Sequence, residues 1–145
     1  PAQKNEKIDL ISTVKLCLEI FNERNVIFQS DLNKLEILFD RTNLIRIINN
    51  LVKNSIQATS EINYPEIIVR VKKNIKYAII EIKDNGTGIP NSLKEKIFEP
   101  SFTTKTKGMG LGLSIIKNLI VNYQGNISFQ SKKGETIFKI KIPLA

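Results

Sequence analysis

The 145-residue sequence has no histidine and no tryptophan, and only one cysteine and one methionine. Without histidine there can be no Ser-His-Asp triad, no Cys-His pair and no histidine-ligated metal. One cysteine, Cys17, excludes a disulfide within the chain and fits a reducing compartment. Set between Leu16 and Leu18, it reads as a small buried apolar side chain. Long apolar runs are also missing. The longest are a few residues, as in Tyr77-Ala78-Ile79-Ile80, against the about 20 that a membrane span needs. The start of the chain lacks the apolar core of a secretion signal. There is no internal repeat, no low-complexity tract and no Gly/Ser linker, so a single domain over 1–145 is expected. A basic stripe with interleaved aromatics is absent as well. The formal net charge is +8, but the lysines are scattered, and many alternate with apolar residues as in Lys139-Ile140-Lys141-Ile142. That is the solvated face of a strand, which argues against nucleic acid and leaves an anionic ligand or an acidic protein partner open.

The apolar periodicity then sets out the elements. Leu10, Val14, Leu16, Leu18, Ile20 and Phe21 predict a helix over 9–23. Ile27-Phe28 and Glu36-Ile37-Leu38-Phe39 predict short strands on either side of a polar turn. A long helix over 42–60 carries Leu44, Ile47, Ile48, Leu51, Val52 and Ser55 at helical spacing, with Thr42 or Asn43 as cap. Residues 67–71 and 77–82 predict paired strands joined at Lys73-Asn74. Next comes a long Gly/Pro/Thr/Ser/Lys-rich segment over 84–110, with one short helical stretch near Ser92–Ile97. So long a loop in a small domain is usually functional. A helix over 111–123 uses Leu111, Ile115, Leu119 and Ile120, and two strands carry Ile127, Phe129, Phe138, Ile140 and Ile142. The order predicts an α+β two-layer sandwich, a mixed and mostly antiparallel sheet with about three helices on one face.

Four segments carry chemistry. On the long helix, Asn50 and Asn54 stand four apart on one face, and Gln57 continues their ridge beside the apolar stripe. An amide oxygen is a hard neutral ligand, suited to Mg²⁺ that already carries phosphate and water. In Asp84-Asn85-Gly86-Thr87-Gly88-Ile89-Pro90, Asp84 ends a strand. A carboxylate only accepts hydrogen bonds, so it can take the exocyclic amine of adenine and repels the carbonyl of guanine. Gly86 and Gly88 let backbone approach a flat base. Taken alone, this segment is also an ordinary turn. In Phe98-Glu99-Pro100-Ser101-Phe102-Thr103-Thr104-Lys105, two aromatics either anchor a flap or tuck into the core. Lys105 can reach a terminal phosphate as a point charge. Last, Gly108-Met109-Gly110-Leu111-Gly112 opens a helix, where glycines let phosphate approach unpaired backbone N–H groups.

In this order the four segments resemble the ATPase domain shared by histidine kinases, DNA gyrase, Hsp90 and MutL, over roughly residues 36 to 143. Asn50 to Asn54 is similar to that family's N box, Asp84 to Gly88 to its G1 box, Phe98 to Phe102 to its F box and Gly108 to Gly112 to its G2 box. Gly134-Glu135-Thr136-Ile137-Phe138 is similar to the closing strand segment, with Thr136 near the adenine-binding aspartate. The resemblance implies ATP and Mg²⁺ as cofactors. Asn54 would hold Mg²⁺, Asn50 would meet phosphate or the ion, and Asp84 would bind the adenine amine. Gly86, Gly88, Ile89, Phe98, Gln57, Leu111 and Thr136 would line the nucleotide. A lid over about 91–109 would be hinged by Gly108, Gly110 and Gly112, with Lys105 at the γ-phosphate.

One position divides the branches. Hydrolysing members carry a glutamate as general base one turn before the metal asparagine, and here that place is Asn50, whose amide takes no proton from water. The resemblance therefore implies a kinase, most similar in its Phe-Thr-Thr-Lys wording to the nitrogen-regulation branch of histidine kinases. Having no histidine, this chain cannot phosphorylate itself on one. The acceptor is expected on a separate dimerisation domain, with a response regulator downstream, in the cytoplasm, in a protein either soluble or anchored in the inner membrane. The alternatives are an anti-sigma-type serine kinase of the same fold and a degenerate domain that binds only a partner. Gln57 stands where many relatives have a phosphate-binding lysine or arginine, which shifts that task toward Lys105.

Overall fold

Asp9 ends one element and begins the next. In the structure, a computed structural model describing residues 4–22, 25–100 and 112–145, strand β1 (Glu6–Asp9) runs directly into helix α1 (Leu10–Leu18). The Asp9 carboxylate caps the helix by accepting from Ile11 N at 3.2 Å and Ser12 N at 3.3 Å. It also accepts from Leu35 N at 2.8 Å, tying in a distant loop. The helix expected over 9–23 is thus corrected at both ends, since β1 precedes it and a 3-10 turn follows over Glu19–Phe21. Its buried face is Leu10, Ile11, Val14, Cys17 and Leu18, whereas Leu16 and Ile20 are exposed. Burial pushes the Cys17 thiol up to about 11, so it is the inert apolar residue expected.

The two short strands are present but do not share a sheet. Strand β2 (Val26–Gln29) pairs parallel with β4 (Ile67–Lys73), while β3 (Glu36–Phe39) pairs antiparallel with β1. Helix α2 (Arg41–Ala58) is capped by Asp40 instead of Thr42 or Asn43: its carboxylate accepts from Asn43 N at 3.1 Å. A carboxylate at the N-cap reaches the third helical N–H, and a cap drawn further along would leave that donor unmet. Leu44, Ile47, Ile48, Leu51 and Val52 are at most 1% exposed. Each such burial is worth about 1.5–3 kcal/mol before entropy is charged against it.

Strands β5 (Tyr77–Asp84), β6 (Asn126–Lys132) and β7 (Glu135–Pro143) complete a five-stranded sheet in the order β2-β4-β5-β7-β6, with β2–β4 as its parallel pair. The β4–β5 turn is held by Asn74, whose Oδ1 accepts from Lys76 N and Tyr77 N at 2.9 and 2.7 Å. Helix α3 (Leu113–Asn122) buries Ile116 and Ile120. Ile115, expected in its apolar set, is 48% exposed, and Ile116, four residues before Ile120, takes the core position instead. The short helix expected near Ser92–Ile97 is a 3-10 turn over Asn91–Leu93, although Ile97 is buried. With α1, α2 and α3 against one face of the sheet, the architecture is the expected α+β two-layer sandwich.

The other face is polar. At its centre, Glu81 on β5 meets Lys72 Nζ at 3.3 Å, Arg70 Nη1 at 3.4 Å and Lys139 Nζ at 3.6 Å. The two sheets are stitched where Ile37 bridges Leu144 and Ala145 N donates to Glu36 O at 3.3 Å. Tyr123, just after α3, stacks on Phe39 of β3 at 4.1 Å and 26°, and its hydroxyl donates to Lys4 O at 2.6 Å. Among the described residues, no helix is long and apolar enough to cross a membrane.

Candidate functional site

The last residue of β5 is Asp84, and the register fixes what surrounds it. Across β7 it faces Thr136, and Thr136 in turn faces Ser131 on β6. Three polar side chains therefore form a row on the helix-covered face, where apolar residues occupy the other positions. Asp84 is 3% exposed and Thr136 4%. The Asp84 carboxylate accepts from Gly86 N at 2.9 Å and from the hydroxyl of Ser55 on α2. Among the described residues no cation forms a salt bridge with it. Burial pushes its pKa above the ordinary carboxylate range, and the two neutral donors only partly offset this. A buried charge without a cation is costly, and such cost is typically retained at functional sites.

The loop after Asp84 is moulded to its neighbours. Thr87 N donates to Ala58 O at the end of α2 at 3.4 Å, and Gly134 N to Gly86 O at 3.0 Å. A Cβ on Gly86 would come within 2.5 Å of Ala58 O, and one on Gly88 within 2.5 Å of Lys132 O. Gly88 also sits at φ +86, in the left-handed region that glycine tolerates. Neither position accepts a side chain without moving backbone. Asn85 points the other way, its Oδ1 accepting from Glu66 N and its Nδ2 donating to Tyr64 O, both at 2.8 Å. Ile89 N donates to Ser131 Oγ at 2.7 Å.

Helix α2 brings the amides to this loop. Ser55, which bonds Asp84, directly follows Asn54, so the second half of α2 is seated on the base of the loop. Asn50 is buried at 8% exposure and its Nδ2 donates to Arg46 O at 2.7 Å, which orients its amide. Asn54 is half-buried and Gln57 exposed. Phe98 packs next to the row: its ring lies 5.9 Å from Phe129, which stacks on Phe138, the pair two residues along from Ser131 and Thr136, and Lys117 Nζ sits 5.2 Å above the Phe98 ring. Gly112 is the N-cap of α3, with open space where a side chain would stand. Lys105, Gly108, Gly110 and Leu111, with Phe102 and the second half of the expected lid, lie outside the described residues.

Two participants were not foreseen, Ser55 and Ser131. Ser55 follows the Asn50–Asn54 segment and Ser131 precedes the Lys132-Lys133-Gly134 turn, but only the strand register and the seating of α2 reveal their roles. Beside the loop, a groove of ≈ 490 Å³ is lined by Thr87–Asn91, Lys94 and Ser131–Lys133; it does not include Asp84 or Asn54. The chemistry is better located by the buried carboxylate than by this opening.

Residues 39–145 match the family model described as histidine kinase-, DNA gyrase B- and HSP90-like ATPase. Sensory histidine kinase/phosphatase NtrB of Vibrio alginolyticus is 32% identical over 147 residues, covering 93% of this chain and 42% of NtrB. Sporulation kinase B of Bacillus subtilis is 34% identical over 147 residues, 97% of this chain and 34% of that protein. The chain thus spans less than half the length of these relatives. The catalytic domain of histidine kinase ThkA superposes with a TM-score of 0.87 at 31% identity, covering 97% of this chain and 96% of that domain. ThkA in complex with response regulator protein TrrA gives a TM-score of 0.83 at 28% identity, over 99% of this chain and 42% of the ThkA chain. With the family model matching most of its length, the chain belongs to the histidine kinase-, DNA gyrase B- and HSP90-like ATPase family.

Proposed function

We propose that this domain binds ATP with Mg²⁺ and donates the γ-phosphoryl group to a histidine on a separate dimerisation domain, feeding a response regulator in a cytoplasmic two-component relay. The observation that carries the reading is Asp84: a buried, acceptor-only group with no cation partner among the described residues, at the edge of a loop too tight for side chains. It suits the amine of adenine, and a guanine carbonyl there would meet a second acceptor. Asn54 would hold Mg²⁺. No group of three or more His, Cys, Asp or Glu side chains able to hold a metal occurs among the described residues. The remaining ligands would therefore come from phosphate and water, as is usual for Mg²⁺. The bound ion would neutralise charge on the phosphates. Asn50, held through its nitrogen, offers no base to activate water, so the site keeps ATP for a protein nucleophile. Lys105 and Gly108 to Gly112 are assigned the γ-phosphate and lid roles by sequence likeness. The relatives, sensor and sporulation kinases, and the ThkA–TrrA complex favour a histidine acceptor and a response-regulator partner.

The test is calorimetry with Mg-ATP and Mg-GTP, followed by γ-phosphoryl transfer to a histidine-bearing dimerisation domain supplied in trans. Saturable binding with strong preference for ATP is expected. Asp84→Asn should abolish that preference, since an amide both donates and accepts. Asn54→Ala should remove the gain in affinity that Mg²⁺ confers. No saturation at millimolar ATP would sink the reading and leave the partner-binding alternative.

A further inference from the structure

The row Ser131–Thr136–Asp84 ends in a residue that the ATP reading does not use. Ser131 Oγ accepts from Ile89 N at 2.7 Å and lies 2.7 Å from Thr136 Oγ1. Its carbonyl accepts from Lys94 Nζ. One residue therefore touches the hydroxyl beside the base-selecting carboxylate, the backbone that leaves the glycine loop, and the next lysine along that segment. A serine hydroxyl has one proton and two lone pairs, so it can serve Ile89 and Thr136 together, which alanine cannot. Cross-strand pairing fixes the Ser131 Cβ opposite that of Thr136, so the hydroxyl needs little ordering to reach both partners.

We propose that Ser131 is a positioning residue for nucleotide recognition: it fixes the Thr136 hydroxyl beside Asp84 and holds the backbone leaving the glycine loop at Ile89 to the same wall. It touches no reacting atom and acts through Thr136 and Ile89. The proposal rests on the assignment of Asp84 to the adenine amine. In its absence Thr136 Oγ1, almost fully buried, and Ile89 N both lose a partner, and the base meets a wall whose hydroxyl is no longer oriented.

The experiment measures affinities of Mg-ATP and of Mg-tripolyphosphate, which has no base, for the parent chain, Ser131→Ala, Ser131→Thr and Asp84→Asn. Hydrogen exchange at the Ile89 amide is followed in parallel. Losing a shared hydrogen bond of this kind should weaken ATP binding by about 3- to 10-fold in Ser131→Ala, with tripolyphosphate unchanged within twofold. The Ile89 amide should exchange faster, and Ser131→Thr should restore both. A general loosening of the fold would weaken both ligands alike, which overturns the proposal. So would ATP affinity within twofold of the parent in Ser131→Ala, or failure of Ser131→Thr to restore it. Asp84→Asn separates the two readings. If it loses adenine preference while Ser131→Ala does not weaken ATP, the positioning role fails alone. If Asp84→Asn keeps the parent's preference for Mg-ATP over Mg-GTP, measured alongside, the site assignment itself has failed.

Discussion

At the residue scale, Asp84 illustrates how a binding group can work against the fold that holds it. Its folded pKa lies above its unfolded value, with burial as the cause. A group of that sign favours the native state below the ordinary carboxylate range. Its contribution worsens as pH rises toward the folded value and is a net cost once the group is ionised. Asp84→Asn keeps the shape and can still accept from Gly86 N while removing the charge. At pH 7 the empty domain should therefore gain on the order of 1 kcal/mol, a few degrees in melting temperature, while losing ATP preference. In calorimetric melts the gain should vanish near pH 3, where Asp84 is itself neutral; a variant less stable than the parent at pH 7 would contradict the account. Asp84, Gly86, Gly88 and Thr136 could be read in the sequence only through the likeness of their segments to the family's boxes, since Asp-Asn-Gly alone is an ordinary turn. Ser55 and Ser131 could not, since a serine in a helix or strand carries no pattern of its own and only pairing across β6, β7 and β5 gives it a role.

Elements were legible in proportion to their length. Helix α2 shows its apolar stripe over 18 residues, whereas β1 has four, and its partner β3 is far along the chain. Periodicity over four residues does not separate a strand from the first turn of a helix, which is why β1 merged into the helix that follows. The junction depends on Asp9, whose carboxylate serves Ile11 and Ser12 in α1 and also Leu35. Asp9→Ala should cost about 1–2 kcal/mol, measured by urea unfolding, and speed amide exchange at Leu35 as well as in the first turn of α1. In β5, Glu81 has the opposite sign from Asp84. Burial raises its pKa, but Lys72, Lys139 and Arg70 outweigh it and hold the value below normal. Its contribution is present above the ordinary carboxylate pKa and is lost as pH falls through the depressed value. Since the three cations are 40–50% exposed, Glu81→Gln should destabilise by only about 1 kcal/mol at pH 7. The difference from the parent should disappear in strong acid, and a constant difference from pH 7 to pH 2 would remove electrostatics as its source.

Across the described residues, a sheet with one apolar face and one mixed face centred on the Glu81 ion pairs leaves a single face for helices. The order of helices and strands, with alternation in β6 and β7, made that two-layer arrangement readable in the sequence. Which strands are neighbours was not readable, because the parallel β2–β4 pair and the separate β1–β3 ladder depend on contacts between distant segments. The layering also bears on turnover. Asn50, tied to Arg46 O within α2, puts no proton acceptor beside the proposed phosphate position. Incubated alone with Mg-ATP, the domain should release inorganic phosphate very slowly, and Asn50→Glu should raise that rate measurably in a phosphate-release assay. A parent already hydrolysing as fast as that variant would count against the kinase reading.

Tyr123 offers a practical return. The protein has no tryptophan, and of its three tyrosines Tyr64 is almost fully exposed. The phenol stacked on Phe39 and anchored to Lys4 is therefore a natural chromophore in a fixed asymmetric setting. With half-buried Tyr77 replaced by phenylalanine, its near-ultraviolet circular dichroism should report the seam between β3, the residues before β1 and the end of α3, with no label attached.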